Sequence, residues 1–382
     1  MYFRAADIRD LDEPRLRAFL ERKIPEGLHL DYKRALAAGS EQRRYREFLK
    51  DATAFANAQG GNLLIGVDQP GEGKSVDQQL VGIEEGDKLA AALEDVASAG
   101  VDPRIPGFQV HPVSLNNGRW VLAAHVPPSL ARPHMVSHSG EFTFYIRHRE
   151  QIKPMTTFEV RDTVISALSA EARVREAFSE REKYLRIDGS PDKPSLLLQA
   201  APLVPLESRW HVFAKGVQDA LWGHARRNRI EMHNLALSNG PRPTINGVIG
   251  IEHDGNETRY EIEVHRTGYV TVFFRYFWTT GFNQRQRYLL SDKNCEIFSA
   301  FAELLKELWA ATGTDLPYVV SCVVLGAYNT CFAFGGRNVR IVGLYDRDVI
   351  RWPIIVRQVG QDFSDVANEL CENLHHAYGV RK

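Results

Sequence analysis

The sequence has few cysteines, no long apolar run and almost no net charge. Its four cysteines, Cys295, Cys322, Cys331 and Cys371, all fall towards the C-terminus and form no CxxC pair. That excludes a dense disulfide framework and a zinc site built on paired cysteines. They read as buried reduced thiols, and with them the compartment as cytoplasmic. No stretch approaches the roughly 18 apolar residues that a membrane helix needs, so no membrane partner is expected. The opening MYFRAADIRDLDEPRLR carries charges where a secretory signal would need an apolar core. Lys and Arg total 47 against 48 Asp and Glu. The chain is therefore not a strongly basic module, and a nucleic-acid partner would have to be met by a local patch. Repeats and low-complexity tracts are missing as well, and a 44% hydrophobic, 25% charged composition excludes a disordered or fibrous protein.

What is present is enough chain for two domains, since 382 residues exceed the about 100–200 of a single one. The break falls at Ile187-Asp188-Gly189-Ser190-Pro191-Asp192-Lys193-Pro194-Ser195, after a long charged helical pattern over 157–186. Gly, Ser and Pro crowd into this segment and mark a linker, 187–195, between domains 1–186 and 196–382. The first half predicts mixed α and β. Leu28, Leu30 and Tyr32 alternate with His29, Asp31 and Lys33 as a half-buried strand. Ser40 caps a helix over 41–58 whose apolar stripe is Tyr45, Phe48, Leu49, Ala52, Phe55 and Ala56, and Gly60-Gly61 ends it. Asn62–Val67 is a central strand, followed by a helix over 86–99, a hairpin at Asn116-Asn117-Gly118 and a strand over Phe142–Arg147. The second half predicts antiparallel strands over 245–253, 257–266 and 268–278, with helices over 293–311 and 361–377. The fold class is α+β in both halves.

Glu26, Asp31 and Asp68 carry the chemistry. Asp31 lies on the polar face of the first strand with Lys33 two residues on. Pro25 and Gly27 bracket Glu26, which lets it bend back from the entering loop, and Asp68 ends the central strand. If the two strands are neighbours, three acids and a lysine converge. Such a group suits Mg²⁺ or Mn²⁺, hard cations that take carboxylate oxygens and bridge to phosphate. The metal would activate water, with Lys33 orienting it or neutralising charge. The same spacing also fits a surface Asp31–Lys33 pair and an Asp68 that caps the turn before Pro70-Gly71.

Arg43, Arg46, Lys50 and Asn57, with Arg44 beside them, form a polar stripe opposite the helix's apolar one. Arg132, Arg147 and Arg149 from later strands, and Lys153, extend it. These residues are candidate phosphate contacts, or a solvated helix face. Gly71-Glu72-Gly73-Lys74-Ser75 is not a phosphate loop, because Asp68 stands where the Walker pattern needs glycine and no helix is expected after Ser75. His29 shares the Asp31 face as a proton donor or a structural histidine. His134 and His138 have metal spacing but sit in a predicted loop. No nucleophilic triad is visible. In the second half Tyr269, Phe273 and Phe277 alternate with Phe274, Tyr276 and Trp278, either a base-stacking platform or an ordinary two-sided strand. Asn283-Gln284-Arg285-Gln286-Arg287 is a candidate polar contact loop.

E-x(4)-D-Y-K from Glu26 to Lys33, AFANAQGGNLLIGVD from Ala54 to Asp68, and Val81-Gly82-Ile83 together resemble the Schlafen-type AlbA-like (AlbA_2) domain. Arg132-Pro133-His134 and Phe144-Tyr145-Ile146-Arg147 are similar to its closing segments, and the likeness covers residues 10–160. It implies a metal-dependent endoribonuclease acting on tRNA and similar structured RNA, and a role in antiviral defence or growth arrest would fit it. It also places Glu26, Asp31 and Asp68 at the family's active-site acids, with Asp31 standing where the family has a second Glu. Vertebrate Schlafen nucleases carry two such lobes and this chain has one, so a homodimer or higher homo-oligomer is expected to rebuild the cleft. The alternatives are a non-catalytic nucleic-acid-binding regulator using the Arg43–Lys50 face, and an assembly subunit with structural carboxylates. The second domain is expected to recognise substrate, sense a trigger or support assembly.

Overall fold

Asp12 caps the helix α1 (Glu13–Leu20) by accepting the Arg15 amide at 2.9 Å. Pro14 stands in the first turn, where its missing N–H costs nothing. The computed structural model describes residues 3, 8–187, 194–204, 206, 209–227, 241–254, 257–275, 279–280, 287–313, 316–334, 340–357, 359 and 361–380. The chain is α+β and divides into two compact units, Met1–Ala170 with two short later segments, and most of the remainder.

In the first unit, β1 (Leu30–Lys33), α2 (Glu41–Asn57) and β2 (Gly61–Ile65) form a parallel crossover, with Asp31 opposite Leu63 and Lys33 opposite Ile65. Ser40 caps α2 through the Arg43 amide, as expected. A one-turn helix, α3 (Val76–Gln79), and α4 (Gly86–Gly100) follow. Next come β3 (Val101–Asp102), β4 (Gln109–Ser114) and β5 (Trp120–Val126), with the hairpin turn at Asn116–Gly118. The sheet order is β1-β2-β5-β4, antiparallel apart from β1–β2. A second sheet joins β3 to β6 (Met135–His138), β7 (Glu141–His148) and β8 (Gln151–Pro154). Strand alternation gives the first sheet two cores. Leu63, Ile65, Leu122 and Ala124 pack with Phe48, Phe55 and Leu93, whereas Leu30, Tyr32, Leu64 and Ala123 pack with Leu16 and Phe19.

Helix α5 (Thr157–Ile187) runs on into the second unit. There the strands Gly247–Asp254, Glu257–His265, Val270–Arg275, Ser195–Pro202 and Tyr318–Leu325 lie side by side in that order, all antiparallel. One sheet face packs on the helices Lys215–Arg227, Ser291–Thr312 and Phe363–Ala377. Phe274 sits in this core and Phe273 in a smaller cluster with Leu197 and Val323, so both serve as core rather than as a stacking platform. Tyr276, Phe277, Trp278, residues 283–286 of the polar loop and residues 188–193 of the linker lie outside the described residues. The expectation of four reduced thiols is corrected. Cys295 and Cys371 form a disulfide, because two helices distant in sequence pack with these Cα atoms 5.5 Å apart. Cys322 and Cys331 are free and buried. Among the described residues no helix is long and apolar enough to cross a membrane.

Asn57, expected on the polar stripe of α2, is instead buried and ties that helix to the second sheet. Its Nδ2 donates to the carbonyls of His134 and Tyr145, both at 2.8 Å, and its Oδ1 accepts the His134 amide at 2.6 Å. Asn57→Ala strands two buried backbone groups and one part-buried one and is expected to cost about 2–4 kcal/mol. Urea unfolding, combined with hydrogen exchange of β6 and β7, checks this; an unchanged midpoint would show the clamp to be redundant.

Candidate functional site

Strand β1 sits at the edge of its sheet, and the loop before it folds back along that edge. The Gly27 amide donates to the Leu30 carbonyl at 3.0 Å, and the Glu26 carboxylate accepts the Tyr32 amide at 3.1 Å. This turn brings Glu26 beside Asp31, as the bracketing Pro25 and Gly27 suggested. Both line a pocket of about 540 Å³ above Leu63 and Ile65, where α2 adds Asp51, Arg43, Arg44 and Lys50. Lys33 stands among the acids, its Nζ 2.7 Å from Asp31 Oδ2 and 3.8 Å from Asp51 Oδ2. The shorter contact is an ion pair without hydrogen-bond geometry, since Asp31 Oδ2 is buried and receives no hydrogen bond.

The pocket's lining carries five acids (Glu26, Asp31, Glu47, Asp51, Glu150) and five bases (Lys33, Arg43, Arg44, Lys50, Arg147). It is neutral as it stands, yet the acids are crowded. Burial raises the Glu26 carboxyl above its ordinary value, opposed by the Tyr32 amide and reinforced by Asp31. Burial would lower the Lys33 ammonium, but Asp51 and Asp31 outweigh it and the group is held charged.

Asp68 is not brought into this pocket. Gly66, at φ 97°, breaks the strand: its amide and that of Val67 both donate to the Lys33 carbonyl, at 2.7 and 3.1 Å. Val67 consequently packs beside Leu64 and Tyr32 rather than beside Ile65. Asp68 follows at the sheet's edge, where Lys74 at 2.6 Å and Arg34 at 2.8 Å hold it. The hydrogen bond from Lys74 keeps its carboxyl below the usual range. Lys74, from the glycine-rich loop, is thus engaged by a carboxylate. A one-turn helix does follow Ser75, contrary to expectation, because Ser75 and Gln78 make a reciprocal capping box.

Arg147 also departs from expectation. Instead of facing phosphate it is 2% exposed, because β7 turns it under the β1 loop. Its Nε donates to the carbonyls of Gly27 and Arg149 at 2.8 and 2.9 Å, and its guanidinium lies 4.7 Å from the Phe55 ring centre and 3.6 Å from Asp31 Oδ1. Arg132 donates to the Ala58 carbonyl at 2.9 Å. Arg149 is exposed, Arg46 lines a neighbouring pocket, and Arg43 and Lys50 line this one. His29 engages the Gly60 carbonyl at 2.9 Å and does not line the pocket. The residue missed in the sequence is Asp51. Its signal was present, since an acid four residues before Phe55 interrupts the apolar face of α2.

Mg²⁺ or Mn²⁺ fits part of the predicted set. Glu26 and Asp31 offer adjacent hard oxygens, Asp31 Oδ2 being held only by the Lys33 ion pair, and one or two carboxylates suffice for a largely hydrated Mg²⁺. Glu26, Asp31 and Asp68 as they stand do not form a three-ligand site, and no cluster of three or more such ligands occurs among the described residues.

The sequence resemblance holds at the level of the domain: residues 26–156 match the model of the family described as Schlafen, AlbA_2. Among solved structures the chain is similar to the DIP2311 protein of Corynebacterium diphtheriae, with 16% identity over 33% of this chain and 21% of that one, at a TM-score of 0.24. It therefore spans about a fifth of that protein's length. It is also similar to the N-terminal domain of a putative ATP-dependent DNA helicase RecG-related protein from Nitrosomonas europaea. Identity there is 21% over 38% of this chain and 88% of that one, at a TM-score of 0.26. No curated protein matches the chain.

Burial, opposed by Lys33 and reinforced by Asp31, pushes the Asp51 carboxyl up from 3.8 to about 6. Between those values the folded chain keeps a proton that the unfolded chain has lost. Stability therefore falls as pH rises through this window, and the whole cost is present above about 6. Asp51→Asn removes the titration. It is expected to stabilise the first unit by up to about 3 kcal/mol at neutral to mildly alkaline pH, with the gain vanishing in acid. Urea midpoints across this range check the prediction, and a gain independent of pH would refute it.

Proposed function

We propose that the first unit is a metal-dependent endoribonuclease module acting on structured RNA, with tRNA the leading substrate. The family match supports a nucleic-acid-related function. The observation that carries the finer reading is the convergence of Glu26, Asp31, Asp51 and Lys33 in one pocket rimmed by Arg43, Arg44 and Lys50. Glu26 and Asp31 would hold Mg²⁺ or Mn²⁺, which when bound supplies Lewis-acid polarisation at a phosphate. A divalent charge would also tip a neutral pocket towards phosphate. Arg43, Arg44 and Lys50 then bind backbone oxygens and orient the strand. Lys33 offsets negative charge that builds at the reacting phosphoryl group, and Asp51 can hold a proton beside it.

Asp68 enters this proposal as a third ligand recruited from its ion pairs with Lys74 and Arg34. The pair with the exposed Arg34 is worth about 0–1 kcal/mol, and recruitment also gives up the closer pair with Lys74. A homodimer or higher homo-oligomer would supply the second lobe of an RNA cleft. The second reading is a non-catalytic nucleic-acid-binding regulator. It is favoured by Lys33, which already lies against two of the acids.

The test is incubation of the purified chain with total tRNA in Mg²⁺, Mn²⁺ or EDTA. Discrete fragments that require metal are expected from the native chain and none from Asp31→Asn. Asp68→Asn should raise the metal concentration needed for cleavage; an unchanged metal titration removes Asp68 from the site. Intact tRNA with undiminished gel-shift binding in every sample would favour the regulator.

A further inference from the structure

Beside the acidic pocket lies another of about 530 Å³, between α2 and the β6–β7 hairpin. Arg46, Glu47 and Lys50 reach it from the helix, and Glu141, Thr143 and Tyr145, at alternate positions of β7, reach it from the strand. Glu47 and Lys50 line both pockets, so the two form one trough with a shared wall. The polar groups along it pair loosely: Arg46 with Glu141 at 3.5 Å and Lys50 with Glu47 at 3.3 Å. The Lys50 ammonium lies 5.9 Å from the Tyr145 ring centre, and the Tyr145 hydroxyl donates to Glu141. At the rim, next to the Ser139–Gly140 turn, Phe142 is 69% exposed.

We propose that this second pocket is a nucleobase subsite, taking the base of an unpaired nucleotide whose neighbouring phosphate lies over Glu26 and Asp31. The proposal rests on the nucleic-acid reading and deepens it by naming the form of substrate. A base has a π-face for Phe142 and N–H and carbonyl edges that Glu47, Glu141, Arg46 and Thr143 can meet in kind. A duplex would not serve, because it turns phosphates outward and leaves an exposed phenyl ring in water. An unpaired or looped-out base covers that ring. The loose ion pairs also suit a site that opens to a ligand, since each side chain can exchange its partner for a base edge without being stranded.

Phe142 is exposed, so its replacement leaves the fold intact. The full chain is titrated, by fluorescence anisotropy, into a short unpaired fluorescein-labelled RNA and into the same strand with abasic riboses. Both are run in Mg²⁺ and in EDTA, with the probe's integrity checked on a gel. Phe142→Ala is expected to weaken binding of the base-bearing strand about fivefold or more, and Phe142→Trp to preserve it. The salt slope should stay unchanged, since no charge is removed. The abasic strand should bind native chain and Phe142→Ala alike. Equal affinity of native chain and Phe142→Ala for the base-bearing strand overturns the subsite. If Arg44→Ala still weakens that strand, the nucleic-acid reading survives. Failure of the native chain to bind either strand overturns the subsite, and if total tRNA also goes unbound in the gel shift the nucleic-acid reading falls with it.

Discussion

A guanidinium removed from water must find partners, and the first unit is arranged around the need of Arg147 for them. Its donors satisfy the carbonyls of Gly27 and Arg149, and its charge lies near Asp31 over the face of Phe55. The Gly27 carbonyl belongs to the loop that turns Glu26 back along β1, the edge strand of its sheet, and the Arg149 carbonyl to the turn between β7 and β8. Without a buried cation at that spot, two carboxylates beside each other would repel, and the loop would rest on its bonds to Leu30 and Tyr32 alone. The arginine therefore acts on the candidate chemistry through Asp31 and the loop, and it is sheltered from any phosphate. Breaking a buried pair of this kind leaves an uncompensated charge, which costs far more than a surface pair is worth.

Helix α2 shows how one element can serve packing and chemistry together. Phe48, Ala52 and Phe55 face the sheet, and Asp51 sits among them at the boundary where the apolar face meets the pocket. Lys33 is what makes an acid tolerable there, and the remaining mismatch appears as a carboxyl raised to about 6. The same helix offers Arg43, Arg44 and Lys50 to one pocket and Arg46 to the next. Its polar face is thus shared between two adjoining depressions, and they have a common wall because Lys50 and Glu47 are one turn apart from the residues on either side.

Most of the fold was legible in the sequence because its signals are local. The Ser40 cap, the apolar stripe of α2, the Asn116–Gly118 turn and the strands of the second unit are each written in a few neighbouring residues. The sequence leaves the pairing of β1 with β2 as a condition, and their parallel register meets it. The failures were of another kind. Asn57 and Arg147 look like polar surface residues, and only the second sheet, folding over α2, buries them. Cys295 and Cys371 are brought together by two helices 76 residues apart in the chain. Asp68 was misplaced by a backbone event, the positive φ at Gly66, which a strand period of two does not anticipate. Asp51 was overlooked because an acid inside a helix is counted as surface until its neighbours are known.

The second unit uses buried charge differently. Its sheet turns one face to three helices through a largely apolar core in which His224 and His375 are also buried, and the other face carries Glu261, Glu263, Thr271 and Arg275, all buried. Arg181 of α5 pairs there with Glu261 and, at 3.2 Å, with Glu263, while Glu182 reaches Arg351 at 2.6 Å. An apolar face would hold a helix more cheaply, since desolvating charges offsets much of what pairing returns. What charges add is position: a helix seated by ion pairs cannot slide by a turn without separating them, whereas an apolar stripe tolerates such a shift. The C-terminal half of α5 is therefore fixed in register on its sheet, by the same device that fixes the Glu26 loop in the first unit.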